Sequence, residues 1–246
     1  MTRAQAIKGL VLPGALSLLA LAVLISLGNW QMQRLAWKED LIARVSARAK
    51  LPPAHLPPAS EWNDPRWRES EYRIFATAGT FRHEYEVQVY TVLSGAKGAF
   101  SGAGYWVLTP LELADKTYVI VNRGFVPLDR KDPATRAEGQ VKGEIAVTGF
   151  LRAPEEANYF TPANDPSEKA WYRRAPDEIA RAFNLTNVAP FLLDEVRDYR
   201  KGDLPQPNET KLTFTSNHLG YALTWYGLAC TLIGVFFAFA RQRLKA

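Results

Sequence analysis

Residues 217–240 read NHLGYALTWYGLACTLIGVFFAFA, and from Leu219 to Ala240 the run carries no charge. At 1.5 Å per residue, about 22 positions make a helix roughly 33 Å long, enough to cross a bilayer. Arg241, Arg243 and Lys245 close the run, and Asn208, Glu209 and Lys211 make the approach to it polar. One end is therefore anchored by cations, and the other meets water near His218. The helix has two opposed faces. Gly220, Thr224, Gly227, Thr231, Gly234 and Ala238 recur at alternating four- and three-residue steps, the small-residue pattern that lets membrane helices approach closely. His218, Ala222, Trp225, Ala229 and Phe236 lie on the other side. The small seam is expected to take a second membrane helix, leaving the His218/Trp225 face for another role. Two readings of that face stay open on spacing alone. One is a solvated polar cap with an interfacial tryptophan; the other is a ligand site.

A second apolar run supplies the partner helix. Residues 9–27 are uncharged and about long enough to span, behind a short leader with Arg3 and Lys8. The run exceeds a usual signal-peptide core, and no clear small-x-small cleavage site follows before Trp30, so an uncleaved anchor is expected. The leader is too short for an Arg-rich transit peptide, which favours a bacterial inner membrane; the mitochondrial inner membrane is the alternative. Both terminal flanks are basic, which places both ends in the cytoplasm and the middle outside, in the periplasm. The expected division is a flank at 1–8, a membrane helix at 9–27, a soluble region at 28–217, a membrane helix at 218–240 and a tail at 241–246.

The middle reads first as helix and then as strands. Residues 28–50 keep helical periodicity, so a helix leaves the membrane. Residues 51–65 hold five prolines and form an extended connector. Strand signals rich in Val, Ile, Thr, Tyr and Phe follow at 72–82, 85–93, 105–113, 117–126 and 144–152, with a later one at 191–196 and a short helix at 178–183. The expected fold class is membrane-anchored α+β. Two transmembrane helices flank an antiparallel β-meander or barrel-like soluble domain with short helices.

Composition excludes several chemistries. The formal charge of +5 is spread along the chain without an aromatic-interleaved basic patch, so no nucleic-acid partner is expected. Cys230 is the one cysteine, so there is no disulfide, no CxxC redox motif and no covalent haem attachment. The Gly-rich loop 94–104 lacks the phosphate-cradle lysine motif and reads as a hairpin loop. Ser94 and Lys97 match an S-x-x-K spacing, but no other part of that machinery accompanies them. His55 and His83 have no partners at metal spacing and read as surface residues, and Asp64 and Asp165 sit in Asn-Asp-Pro turns. Gly124, in VNRGFVP, reads as a turn or bulge. No catalytic set emerges, and the protein is not expected to be an enzyme.

Five segments, in order, carry a resemblance. They are WQMQRLAWKEDLI (30–42), YWVLTPLEL (105–113), YVIVNRGFVP (118–127), VTGFLRAPE (147–155) and NHLGYALTWYGLA (217–229). In this two-helix frame they resemble the Surfeit locus protein 1 family over nearly the whole chain. The resemblance implies an assembly factor for haem-copper cytochrome c oxidase, with its soluble domain outside the cytoplasm or in the intermembrane space. It implies haem a as transiently bound cargo, passed toward oxidase subunit I. The implied partners are cytochrome c oxidase subunit I, haem A synthase and the lipid bilayer. The family's histidine and tryptophan in the last motif fall on His218 and Trp225, which makes His218 the candidate axial ligand of the haem iron. A neutral imidazole suits that role, and an indole face can stack on a porphyrin. A scaffold that binds no haem is the competing expectation.

Overall fold

The structure is a computed structural model that describes residues 3–212 and 217–245. Two compact units make up the chain. One holds the N-terminal helix up to Arg44 together with the C-terminal helix, and the other is Val45–Leu212.

Helix α1 runs unbroken over Arg3–Ala49, which joins the apolar run and the polar helix that follows it. Pro13 lies inside it. Helix α3 is His218–Lys245, so its first residue is the histidine singled out above. Both helices are long and apolar enough to cross a membrane. Residues 213–216, the last part of the return toward α3, lie outside the described residues, as do residues 1, 2 and 246.

The second unit is a seven-stranded sheet: β1 Ala54–His55, β2 Ile74–Phe81, β3 Val87–Leu93, β4 Gly102–Glu112, β5 Tyr118–Pro127, β6 Glu144–Arg152 and β7 Val188–Glu195. The sheet order is β1-β2-β6-β7-β5-β4-β3, and an extra β2–β4 pairing closes five of the strands into a ring. Of the two forms expected above, meander or barrel-like, the barrel is the one present, and it adds parallel pairings of β5 with β7 and of β1 with β2 to the antiparallel ones. Strand alternation could not disclose this, because β7 reaches β5 only after a long connection through helix α2, Pro176–Ala182.

Strand β5 is buried on both faces, with Val119, Ile120, Val121, Phe125 and Val126 all at 0% exposure. The reason is two cores. Val119 and Val121 join Phe75, Phe81, Leu111, Val147, Leu151, Phe191 and Leu193 in a cluster to which all five ring strands contribute. Trp62, from the proline-rich connector, packs into the same cluster edge-on to Phe191. On the other face, Ile120 meets Val87, Val89, Leu108, Trp171, Leu192 and Ile179 of α2. A strand buried on both faces reads as a continuous apolar run, and YVIV does so.

Closure occurs at Gly79. Strand β2 pairs with β6 through Thr80 and with β4 at Thr80 and Phe81. A Cβ at Gly79 would stand 2.4 Å from the Glu112 carbonyl oxygen, a backbone atom that cannot move aside. Gly79→Val is expected to destabilise the soluble unit by about 1–3 kcal/mol or more, since the bulk must push two paired strands apart. Thermal unfolding of the purified protein checks this, and an unchanged melt would contradict it.

His83 is half-buried rather than a plain surface residue, and its Nε2 bonds the Val141 carbonyl at 2.8 Å. Burial first, and then the charge of Arg123, hold its pKa below the ordinary histidine value against the pull of that hydrogen bond. The unfolded chain therefore takes up a proton at higher pH than the folded one does. The stability that depends on neutral His83 is full above about pH 6.5 and is lost as pH falls from there toward the folded pKa. The melting temperature should drop on going from pH 7.5 to 5.5, and drop less in His83→Gln. An equal drop in both proteins would assign the effect to other groups.

Candidate functional site

The helical unit is best built from its packed stripes. On α1, Gly14, Ser17, Leu21, Leu24, Gly28 and Gln31 are among the partly or fully buried positions and recur at alternating three- and four-residue steps. On α3 the matching stripe is His218, Ala222, Trp225, Ala229, Leu232 and Phe236. Such a step of 3.5 residues on both helices is the signature of side-by-side, coiled-coil-like packing. Ala222 is fully buried and Ala229 is 5% exposed.

This reverses the sequence expectation for α3. The face that meets α1 is the His218/Trp225 face, and the Gly/Thr seam points away. A Cβ on Gly220, Gly227 or Gly234 would find no atom within 4 Å. Thr224 and Thr231 turn their hydroxyls back to the carbonyls of Gly220 and Gly227 on their own helix, at 3.0 and 2.9 Å. These hydroxyls need no second helix for their hydrogen bonds, so they can face an apolar surround. The small residues that matter are on α1. A Cβ at Gly28 would stand 2.5 Å from the Tyr226 ring, and one at Gly14 would stand 3.4 Å from Phe236. Close approach needs a small residue on one side of each contact only, and α1 supplies it where α3 is aromatic.

Polar contacts cluster at one end of this seam. Tyr226 donates its hydroxyl to Asn29 Oδ1 at 2.8 Å. Gln31, 9% exposed, places its side-chain oxygen 2.7 Å from His218 Nδ1. An amide oxygen only accepts, so this contact, as oriented, calls for the tautomer with the proton on Nδ1 and the lone pair on Nε2. Just beyond, the Arg34 guanidinium lies 6.0 Å from the Trp30 ring and 5.4 Å from Trp37. These exposed tryptophans and their cation have the composition of an interfacial belt. Trp225 is half-buried on the stripe, two turns and about 10.5 Å along the axis from His218. His218 and Trp225 therefore share a face, as expected. Gln31 was missed as a site residue, because a glutamine in a polar helical stretch gives no signal until the partner helix is placed beside it.

The other residues weighed above resolve into structural roles. The 94–104 loop joins β3 to β4, and the backbone N–H groups of Lys97 and Gly98 donate to the Glu209 carboxylate at 2.9 and 2.8 Å. Lys97 Nζ donates to the Asn208 and Thr210 carbonyls, so the S-x-x-K spacing has a structural use. Asp64 caps a short turn by accepting from Arg66 N, and Asp165 accepts from Ser167 within its own turn. Among the described residues, no three of His, Cys, Asp and Glu gather as a metal cluster. His55 lies in β1.

The stripe assignment is testable with cysteines placed on α1 and α3 near Gly28 and Tyr226. Gly28→Leu should abolish oxidative crosslinking between the helices, and Gly227→Leu should leave it intact. Loss with Gly227→Leu and retention with Gly28→Leu would restore the opposite face as the contact.

Comparison with known proteins follows from this geometry. The SURF1 family model matches residues 18–230, which takes in α1 from its membrane segment, the whole barrel and the first half of α3. The human protein named Surfeit locus protein 1 is 33% identical over 215 residues, covering 82% of this chain and 69% of its own length. A SURF1-like protein of Monosiga brevicollis is 36% identical over 231 residues, covering 90% of this chain and 84% of its own. Surfeit locus protein 1 of Takifugu rubripes is 29% identical over 240 residues, covering 93% and 97%. With a family match across most of its length and relatives above 30% identity, the chain belongs to the SURF1 family.

Proposed function

We propose that this protein is an assembly factor for haem-copper cytochrome c oxidase that carries haem a at the outer mouth of its two helices. The cargo would be delivered to oxidase subunit I, with haem A synthase as the source. The proposed compartment is a bacterial inner membrane, both helices spanning it and the barrel on the periplasmic side, with the mitochondrial inner membrane as the alternative. The observation that carries the reading is the 2.7 Å contact between His218 Nδ1 and Gln31.

The donor set suits the group. A metal-binding imidazole commonly donates its other N–H to a carbonyl or carboxylate, which fixes the tautomer and raises the basicity of the ligating nitrogen. Haem, when bound, supplies an iron with an axial position for one nitrogen and a broad apolar ring. Gln31 holds the proton at Nδ1, which makes Nε2 the atom to meet the iron. Trp225 offers an apolar indole two turns away, and the Trp30/Trp37 belt sets this end of the unit at the membrane surface. A single histidine gives a weak site, as a carrier must release what it holds.

A second reading is favoured by one observation: the His218/Trp225 face is also the face by which α3 meets α1. On that reading both residues only hold the helices together, and the protein is a scaffold for subunit I and the synthase.

Co-expression with haem a synthesis, followed by purification and absorption spectroscopy, separates the two. His218→Ala should lose the Soret band, and Trp225→Ala should weaken it. Gln31→Leu should lower haem affinity about 10–100-fold, as outer-shell partners of metal ligands do. In the haem-free protein, ¹⁵N spectra of the imidazole should show the Nδ1–H form in the parent and mixed tautomers in Gln31→Leu. A full haem complement in His218→Ala would leave the scaffold reading standing.

A further inference from the structure

One mouth of the barrel holds a cavity of about 820 Å³. Its floor comes from four ring strands: Phe81 at the end of β2, Arg123 at the bulge of β5, Ile145 near the start of β6 and Glu195 at the end of β7. Its walls are the 3-10 segment Pro133–Gly139 and the loop around Arg200 and Leu204. Barrel mouths are a recurrent place for ligands, because the strands fix the floor and the loops can vary.

A bulge places a buried arginine on the floor. Strand β5 carries a bulge: Trp106 pairs with Phe125 but Leu108 pairs with Asn122, so Arg123 and Gly124 together oppose the one residue Val107. Gly124 has φ +126°, and a Cβ there would stand 2.1 Å from the Gln206 carbonyl oxygen. The bulge the sequence suggested is present, and it sits beside the arginine on the cavity floor. Arg123 is 4% exposed, with its guanidinium 4.7 Å from the Phe81 ring centre. Its Nη2 donates to the Gly139 carbonyl, while Nε and Nη1 make no hydrogen bond among the described residues.

Neighbouring buried charges are treated differently. Asp194, 3% exposed, accepts from Asn122, Arg152, Arg174 and Thr210 at 2.9 to 3.2 Å. Arg136 donates to Glu86 at 2.5 Å and to the carbonyls of Arg130 and Lys131. Glu86 is also the nearest acid to Arg123, at 3.6 Å from Nη1, so one carboxylate serves two buried guanidiniums. Five arginines line the cavity: Arg123, Arg130, Arg136, Arg197 and Arg200. Three acids face them, Glu138, Glu195 and Asp203. Burial pushes the Glu195 carboxyl up, opposed by Arg197 and Arg123. A guanidinium keeps its charge, and the lining holds five of them against three carboxylates.

We propose that this barrel mouth is a binding site for a small anionic ligand bearing a carboxylate or phosphate group, with Arg123 on the floor and Arg200 at the rim. The anionic group would accept from the exposed Arg200, with the charge of the buried Arg123 beneath it, and Phe81, Val141 and Ile145 would cover an apolar part of the ligand. The site lies wholly within the barrel unit and does not depend on the haem reading.

The test uses the full chain in detergent, with succinate and inorganic phosphate as probes at constant ionic strength. Thermal stabilisation should be saturable with at least one of them, as expected when a ligand binds the folded state. Saturation by succinate alone would assign a carboxylate, by phosphate alone a phosphate, and by both the shared anionic chemistry. Arg200→Gln should weaken the apparent affinity at least fivefold without changing the ligand-free melt. Arg66→Gln, an exposed arginine away from the cavity, should change nothing. Arg123→Lys keeps the charge but not the fork, and should also weaken binding. If neither anion stabilises beyond sodium chloride, or if Arg200→Gln and Arg66→Gln weaken binding alike, the site is overturned.

Discussion

Strand β2 cannot pair with β6 and β4 at once unless its backbone comes within contact of Glu112, and Gly79 is what permits it. This crossing closes the ring. Glu112, on the far side of it, is held by ion pairs from Arg82 and Lys116, and Arg82 N donates to the Pro110 carbonyl at 2.8 Å. The shared core of the five strands exists only because the ring is shut. The cavity at its mouth depends on the same closure, since residues of four ring strands must converge to make its floor. A single residue without a side chain thus links local geometry to the concavity at the barrel mouth.

The two units solve the problem of buried polar groups in different ways. In the barrel, charge is buried in ionic networks, and most members have a full set of partners. Asp194 is the clearest case, with four donors from four different segments. Arg123 stands apart, with two donor nitrogens lacking hydrogen bonds among the described residues, and that contrast is why it reads as a site and not as a staple. In the helical unit, the threonine hydroxyls of α3 are satisfied within the helix, while the Tyr226 hydroxyl bonds Asn29 and the amide oxygen of Gln31 meets the imidazole of His218 across the seam. Low dielectric makes each of these pairings worth more than it would be in water.

The pairing of Gln31 with His218 also connects packing to chemistry. The same helix contact that holds α1 against α3 determines which ring nitrogen carries a proton. A change at Gly28 that parts the helices would therefore also release the tautomer, though Gly28 touches neither residue of the pair. Site and seam are mechanically one object within the helical unit.

The sequence by itself determined the two apolar spans, the order and approximate extent of the main strands, the bulge at Gly124 and the pairing of His218 with Trp225 on one face. Each of these rests on local periodicity or on a residue with a narrow conformational use. Only the tertiary structure decided the rest. Periodicity says that α3 has two faces but not which one is covered, and the small seam misled because the partner helix brought glycines of its own at Gly14 and Gly28. Alternation says that strands exist but not that β2 changes partner or that β7 lies parallel to β5, since those contacts join residues far apart in the chain. The two-residue β1 carries too short a pattern to be read at all. Gln31 and Arg123 look like ordinary polar residues in sequence. They acquire meaning from what a fold places, or fails to place, within hydrogen-bonding distance of them.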